Sequence, residues 1–251
     1  MNHPHLPLEP DRNEMARLGR LTLERTISFV DELPNRPAYS SGGPAETELV
    51  REFLVPPPEE GRQLPDLLDQ LDAATDHGLG TAGPGYLCRV PSGGVYTSAQ
   101  ADLYKVTINR FSSFAAPAPL LTALKESVVR WIAREVVGFP TSSGALSTPG
   151  ESMANLSAVV AARHARLGDE ITDGVLYVSD QTHHSVVKAA WLARIPRRNV
   201  RVVTADLRLD VAAAAAMITE DRRAGMRPFM LAAAAGTTDT GAVPVSTRRS
   251  A

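Results

Sequence analysis

The feature that most constrains this chain is the alternation of short apolar runs with helix-period segments through its second half. Residues 175–178, 200–204 and 229–235 are mainly apolar runs, too short for helices and rich enough in Val, Leu and aromatic residues to read as buried strands. Residues 153–167, 185–195 and 211–223 have helical character, and the alanine tract 212–216 belongs to the last of them because Ala is the strongest helix former. Strands that alternate with helices reach the next strand by a crossover, so parallel βαβ units and an α/β sheet follow.

The first half is patterned differently. Met15, Leu18, Leu21, Ile27, Val30 and Leu33 recur at three-residue intervals and their multiples, which predicts an amphipathic helix over 14–33 that Pro34 stops. Gly, Pro and Ser then dominate residues 36–44, Pro56, Pro57 and Pro58 follow, and a short helical pattern returns at Leu67, Leu68 and Leu71. This reads as a loop-rich helical arm, residues 1–82, ahead of a regular region that begins near Gly83. In that region Leu121, Leu124, Val128, Ile132 and Val136 predict a helix ended by Gly138.

Composition narrows the function classes. Lys and Arg total 26 against 28 Asp and Glu, a net charge of −2, so the basic excess of a nucleic-acid binder is missing. Cys88 is the single cysteine, which excludes an intramolecular disulfide framework and a multi-cysteine zinc cluster, and a reducing compartment, the cytoplasm, is the expected location. The first 20 residues lack the apolar stretch of a secretory signal. The longest apolar run, 229–235, is far below the roughly 20 residues that span a bilayer, so no membrane role is expected.

Three segments stand where α/β sheets collect ligands, at the carboxyl ends of strands and the amino ends of helices. Ser147-Thr148-Pro149-Gly150-Glu151-Ser152-Met153-Ala154-Asn155 is a small-residue loop opening a helix; alone it is an ordinary N-cap, and no lysine follows the glycine as in a P-loop. Ser179-Asp180-Gln181-Thr182-His183-His184-Ser185 leaves a strand and enters a helix. Its adjacent histidines point in different directions, so they do not make a metal pair, and no metal is expected. An imidazole at a strand's carboxyl end can stack on a flat ring or act as an acid or base. Gly236-Thr237-Thr238-Asp239-Thr240-Gly241 leaves another strand and brings hydroxyls to the same edge. A phosphate nest, an imidazole and a hydroxyl pair at one edge describe a pocket for a phosphorylated aromatic cofactor with the shape of pyridoxal phosphate.

At these residues the sequence resembles the pyridoxal-phosphate-dependent amino-acid decarboxylases of the aromatic-L-amino-acid and glutamate decarboxylase group. The resemblance runs from Gly83-Pro84-Gly85-Tyr86-Leu87 and Pro91-Ser92-Gly93-Gly94, through Ala115-Ala116-Pro117 and Arg130-Trp131, to the three segments above and on to Val243. It implies the family's aminotransferase-like pyridoxal-phosphate-dependent transferase fold, with the cofactor-binding large domain over 83–243 and an N-terminal helical arm that embraces a partner subunit in a homodimer. It also implies site roles. Ser152 and the backbone of Glu151 and Ser152 would hold the cofactor phosphate, and the His183 ring would stack on the pyridine face and serve catalysis. Thr238 would sit beside the ring hydroxyl, and Tyr86 and Leu87 would line the pocket for the amino-acid substrate. The implied reaction is a carboxy-lyase one, in which the cofactor ring acts as electron sink while carbon dioxide leaves.

Two departures from the family pattern carry expectations of their own. Glu151 stands where many relatives have a small residue, and its carboxylate would repel a phosphate unless the side chain turns away. After Gly241-Ala242-Val243 the chain ends in a non-family tail, residues 244–251, without the family's Asp-Ala-Ala, which pairs with the pyridine nitrogen, or its His-Lys, which forms the Schiff base. Lys105, Lys125 and Lys188 are the chain's lysines, and none has a matching context. The expectation is therefore a truncated decarboxylase, inactive alone. The alternatives are a non-catalytic fragment that associates with a full-length relative, or another pyridoxal-phosphate enzyme such as an aminotransferase. Ser179-Asp180-Gln181 followed by His183 favours the decarboxylases.

Overall fold

The computed structural model describes residues 9–41, 43–56, 59–89, 93–203 and 206–243. The tail 244–251, together with Pro91, Ser92 and Thr204, lies outside them. The chain divides into two compact units, Met1–Ile108 and Asn109–Ala251.

The first unit opens with α1 (Arg12–Glu32), whose N-cap is Asp11: its carboxylate accepts the backbone N–H groups of Asn13 and Glu14 at 2.8 and 2.9 Å. A 3₁₀ turn at Leu33–Asn35 carries Pro34 and ends the helix where the sequence predicts. Next come β1 (Tyr39–Ser40), α2 (Pro44–Phe53), α3 (Leu64–Thr75), β2 (Gly78–Leu79) and α4 (Tyr96–Ile108). β1 and β2 pair antiparallel, Tyr39 opposite Leu79. Arg25 ties α1 to α3 through Asp69 and Asp72 at 2.5 and 2.6 Å, and Arg36 stacks on Phe29 while binding Asp76 and Glu32.

Two of these helices carry no clear signal in the sequence: α2, within the loop-rich arm, and α4, beyond it. In α2 the proline sits in the first turn, where its missing N–H costs nothing, so a Gly-Pro pair starts a helix rather than breaking one. In α4 the apolar residues Leu103, Tyr104, Val106 and Ile108 are all exposed and follow no single face, which leaves no periodic signal to read.

The second unit begins with α5 (Pro119–Trp131), extended by a π-turn at Ile132–Val136 and closed by Gly138 at φ 77°. Then α6 (Glu151–Leu167), β3 (Gly174–Val178), α7 (His184–Leu192), β4 (Val200–Val202), α8 (Val211–Arg223) and β5 (Arg227–Leu231) alternate, as the sequence predicts. The sheet order is β4-β3-β5, with both neighbours parallel to β3. β3 is buried along its whole length because it is central and covered on both faces. Leu176 and Val178 join Val159, Val186, Ile195 and Phe229 in one core cluster with α6 and α7. Val175 and Tyr177 join Leu209 and Ala214 in another, which Met217 and Ile218 of α8 cover. The unit is thus a sheet between helical layers, its two cores set by the period-2 alternation of β3.

β5 differs from its predicted span of 229–235. It starts two residues earlier and stops at Leu231, and it accommodates Pro228 at an irregularity where Val175 faces Pro228 and Leu176 faces Met230. Among the described strands β5 is at the sheet's edge, where a residue without an N–H is tolerated.

Gly174 shows how tightly β3 is packed. A Cβ there would meet Leu167 Cδ1 at 2.2 Å and the Ile171 carbonyl at 3.3 Å. Gly174→Ala is expected to cost about 1–3 kcal/mol by overpacking, measurable as a lower urea midpoint.

Candidate functional site

The site is assembled where α6, β3 and α7 converge. Gly150, at φ 96°, turns the chain into α6 with a backbone that an L side chain resists. No side chain caps this helix, so the N–H groups of its first turn point outward with the positive end of the helix dipole. Ser152 stands exposed in that turn.

The second component is the turn from β3 into α7. The Thr182 hydroxyl accepts the Ser179 N–H at 2.9 Å and lies 3.1 Å from the Ser179 hydroxyl, and the Thr182 N–H donates to the Ser179 carbonyl. His183 follows as the N-cap of α7, its Nδ1 accepting the Ser185 N–H at 3.4 Å and lying 2.7 Å from the Ser185 hydroxyl. The His184 ring leans against the His183 ring, centroids 4.4 Å apart and planes 39° apart, so one side of His183 is partly covered.

These components are hydrogen-bonded to each other. Asn155, one turn after Glu151 on α6, donates from Nδ2 to the Ser185 hydroxyl at 2.8 Å and to Glu151 Oε1 at 3.3 Å. The Glu151 carboxylate lies 3.5 Å from His183 Nδ1. Its side chain is therefore directed toward Asn155 and His183, which answers how a carboxylate is accommodated in the first turn. Ser185 is 2% exposed. Asn155 and Ser185 are absent from the sequence-predicted set; their only signal was the i, i+4 spacing from Glu151 and the position two residues after His183.

The third segment leaves β5, parallel neighbour of β3, and so emerges at the same sheet edge. Thr237, not Thr238, organises it. Thr237 is buried, accepts the Ala242 N–H on its hydroxyl at 3.0 Å, lies 2.5 Å from the Thr240 hydroxyl, and exchanges backbone bonds with Gly241 and Ala242. Thr238 is half-buried at the tip of this turn.

Tyr86 and Leu87 belong to the first unit. Tyr86 is 6% exposed, with its N–H on the Gly83 carbonyl, whereas Leu87 is 90% exposed. A cavity of about 690 Å³ in that unit, lined by Phe29, Arg36, Asp76, His77 and Leu79 among others, includes none of the predicted site residues. A smaller one of about 140 Å³ between α6 and α7 is lined by Ser152, Met153, Ser185 and Lys188. That volume is well below the roughly 300 Å³ at which ligand pockets begin. The convergent groups therefore form an open edge rather than an enclosed chamber. Among the described residues no three His, Cys, Asp or Glu side chains are grouped to hold a metal, and no helix is long and apolar enough to cross a membrane.

Comparison with known proteins places the chain in a family. Residues 54–244 match the sequence profile of the pyridoxal-dependent decarboxylase conserved domain. An aromatic-L-amino-acid decarboxylase of Bacillus atrophaeus is 30% identical over 94% of this chain and 49% of its own length. A tyrosine decarboxylase of Oryza sativa subsp. japonica is 30% identical over 93% of this chain and 46% of its own. The chain thus spans about half the length of the curated relatives it matches. A tryptophan decarboxylase of Catharanthus roseus, solved with L-tryptophan, shares the fold at a TM-score of 0.81 and 22% identity, over 95% of this chain and 54% of that one. The chain accordingly has the fold of about half of a pyridoxal-phosphate decarboxylase, and it belongs to the pyridoxal-dependent decarboxylase family.

Proposed function

We propose that this chain holds pyridoxal phosphate for the decarboxylation of an amino acid, its own residues supplying the phosphate and ring contacts. The observation that carries the reading is the joining of the uncapped α6 amino terminus to the His183 turn through Asn155 and Ser185. Outward N–H groups and the Ser152 hydroxyl suit a phosphate dianion, and the partly exposed imidazole suits a flat ring. The groups present fit the cofactor.

The first-turn N–H groups of Glu151 and Ser152 bind the phosphate. The His183 ring would pack on the cofactor ring with the face that His184 leaves open, and would hold a proton there. Thr238 would sit beside the ring hydroxyl, and Tyr86 and Leu87 would line the pocket for the amino-acid substrate, in an assembly of two subunits. When bound, the cofactor supplies the electron-withdrawing ring that lets carbon dioxide leave.

Turnover needs a lysine beside the cofactor's aldehyde, and two of the three lysines here are bonded elsewhere. Lys105 pairs with Asp102 at 2.6 Å, Lys125 donates to the Ser112 carbonyl at 3.0 Å, and Lys188 is exposed on α7. We therefore propose that these 251 residues bind the cofactor without turning over substrate.

Equilibrium dialysis of the purified chain against pyridoxal phosphate tests this. Retention that borohydride does not make permanent is expected, about two- to twelvefold weaker in His183→Ala if the ring contact is worth the usual 0.5–1.5 kcal/mol. Pyridoxal without its phosphate is expected to bind more weakly still. Failure of the wild-type chain to bind, or equal binding by the variant, would refute the reading. Release of carbon dioxide from amino acids by the chain alone would refute the proposed inactivity.

A further inference from the structure

We propose that Asn155 is a positioning residue that, through Ser185, fixes His183 as its Nε2–H tautomer. The inference deepens the proposed function and rests on it only for the use to which the ring is put.

The direction of the relay follows from which groups can donate. The Glu151 carboxylate is an acceptor, and it lies 3.3 Å from the Asn155 amide, so the Asn155 nitrogen and not its oxygen faces that side. The same nitrogen is 2.8 Å from Ser185 Oγ. An amide nitrogen carries two hydrogens, and these two acceptors use both. Ser185 Oγ, having accepted from Asn155, has its hydrogen available to His183 Nδ1, 2.7 Å away. The Ser185 backbone N–H, a donor under any assignment, also points at Nδ1, at 3.4 Å. Nδ1 therefore receives hydrogen bonds and carries no proton, which leaves the neutral ring's proton on Nε2.

One group opposes this. Glu151 Oε1 lies 3.5 Å from Nδ1 and would favour a proton there. It loses for two reasons: at 3.5 Å it is much farther from Nδ1 than Ser185 Oγ at 2.7 Å, and the Glu151 side chain is 61% exposed, so water screens its charge. The Ser185 bonds are shorter or geometrically fixed, and Ser185 is itself buried. The relay also spans two helices, so the packing of α6 along α7 determines the state of a ring at the end of β3.

The consequence for the site is a ring that presents an N–H at Nε2. Such a ring can donate to an anionic group or deliver a proton, whereas the other tautomer would present a lone pair there.

Long-range ¹H–¹⁵N correlation spectra of the labelled 251-residue chain, recorded well above neutral pH, read the tautomer directly. The His183 signals are assigned by their loss in His183→Gln. About a fivefold excess of the Nε2–H form is expected, the ratio that one net hydrogen bond of about 1 kcal/mol produces. Asn155→Asp keeps the shape but replaces the donor with an acceptor, so the relay reverses and the Nδ1–H form becomes dominant. Ser185→Ala cuts the link to Asn155 and reduces the Nε2–H excess, leaving only the backbone N–H on Nδ1. His164, on α6 but outside the relay, reports whether each variant is folded. An Nδ1–H ring in the wild type, or no change in a folded Asn155→Asp, overturns the proposal. Because the readout uses no cofactor, failure to bind pyridoxal phosphate would sink the functional reading and leave this one standing.

Discussion

Leu176→Ala is expected to lower the unfolding free energy by about 2–5 kcal/mol, the range for deleting a fully buried leucine side chain. Leu176 is 0% exposed at the centre of β3, within the cluster that Val159 of α6, Val186 of α7, Ile195 and Phe229 complete. Those neighbours come from both flanking helices and the adjacent strand, so the cavity cannot close by moving one of them. Domains are stable by only about 5–15 kcal/mol, which makes this a large share of the total. Urea unfolding followed by circular dichroism should show a lower midpoint with an unchanged slope. A loss below about 0.5 kcal/mol, typical of surface positions, would contradict the burial of β3. The site should suffer too, because the Ser179 to His183 turn is the direct continuation of this strand.

Asp221→Ala is expected to cost about 3 kcal/mol, through a different mechanism. Asp221, on α8, accepts the buried Tyr177 hydroxyl at 2.7 Å and binds Arg201 of β4 at 2.8 and 3.2 Å. Removing the carboxylate leaves the Tyr177 hydroxyl without its acceptor inside the core and the Arg201 guanidinium without its counter-charge. Burial and the neighbouring carboxylate both push the Tyr177 phenol well above its ordinary range, so it stays a donor at any working pH.

The same triad sets a pH dependence. The Arg201 guanidinium, and then the Tyr177 hydroxyl, hold the Asp221 carboxyl below its ordinary value. A carboxyl that is more acidic folded than unfolded contributes its stability above the unfolded value, about 3.9, and loses it as pH falls toward the folded one. The wild-type chain should therefore lose stability on acidification below about pH 4 more steeply than Asp221→Asn, which keeps an acceptor for Tyr177 but has no titrating group. Thermal unfolding across that range compares them, and parallel curves would show that Asp221 carries none of the acid sensitivity.

Much of the second unit was legible because its signals are local. The α8 helix falls on residues 211–223 as the alanine-rich pattern predicts, and β3 differs from its predicted span by one residue. α8 has strong helix propensity, and β3 is a short run buried throughout. β5 was less legible: an apolar alanine run after Leu231 looks like strand, yet the strand instead takes in Arg227 and Pro228. Arg227 binds Asp173 at 2.6 Å beside the start of β3, a contact 54 residues apart in sequence that no local pattern carries. In the first unit, α2 was hidden by its Gly-Pro start and α4 by apolar residues scattered around the helix.

For the site, the sequence by itself determined the three segments and their places at strand and helix ends, since the alternation of strand and helix obliges those loops to leave one edge of a parallel sheet. It also carried the family resemblance, because motif residues keep their order along the chain whatever their spatial neighbours. Only the tertiary structure decided that Asn155 and Ser185 join Glu151 to His183, and that Thr237 rather than Thr238 closes its turn. The reason is geometric. Asn155 and Ser185 lie 30 residues apart on different helices, and a 2.8 Å hydrogen bond between them exists only because the packing of α6 on α7 sets their spacing.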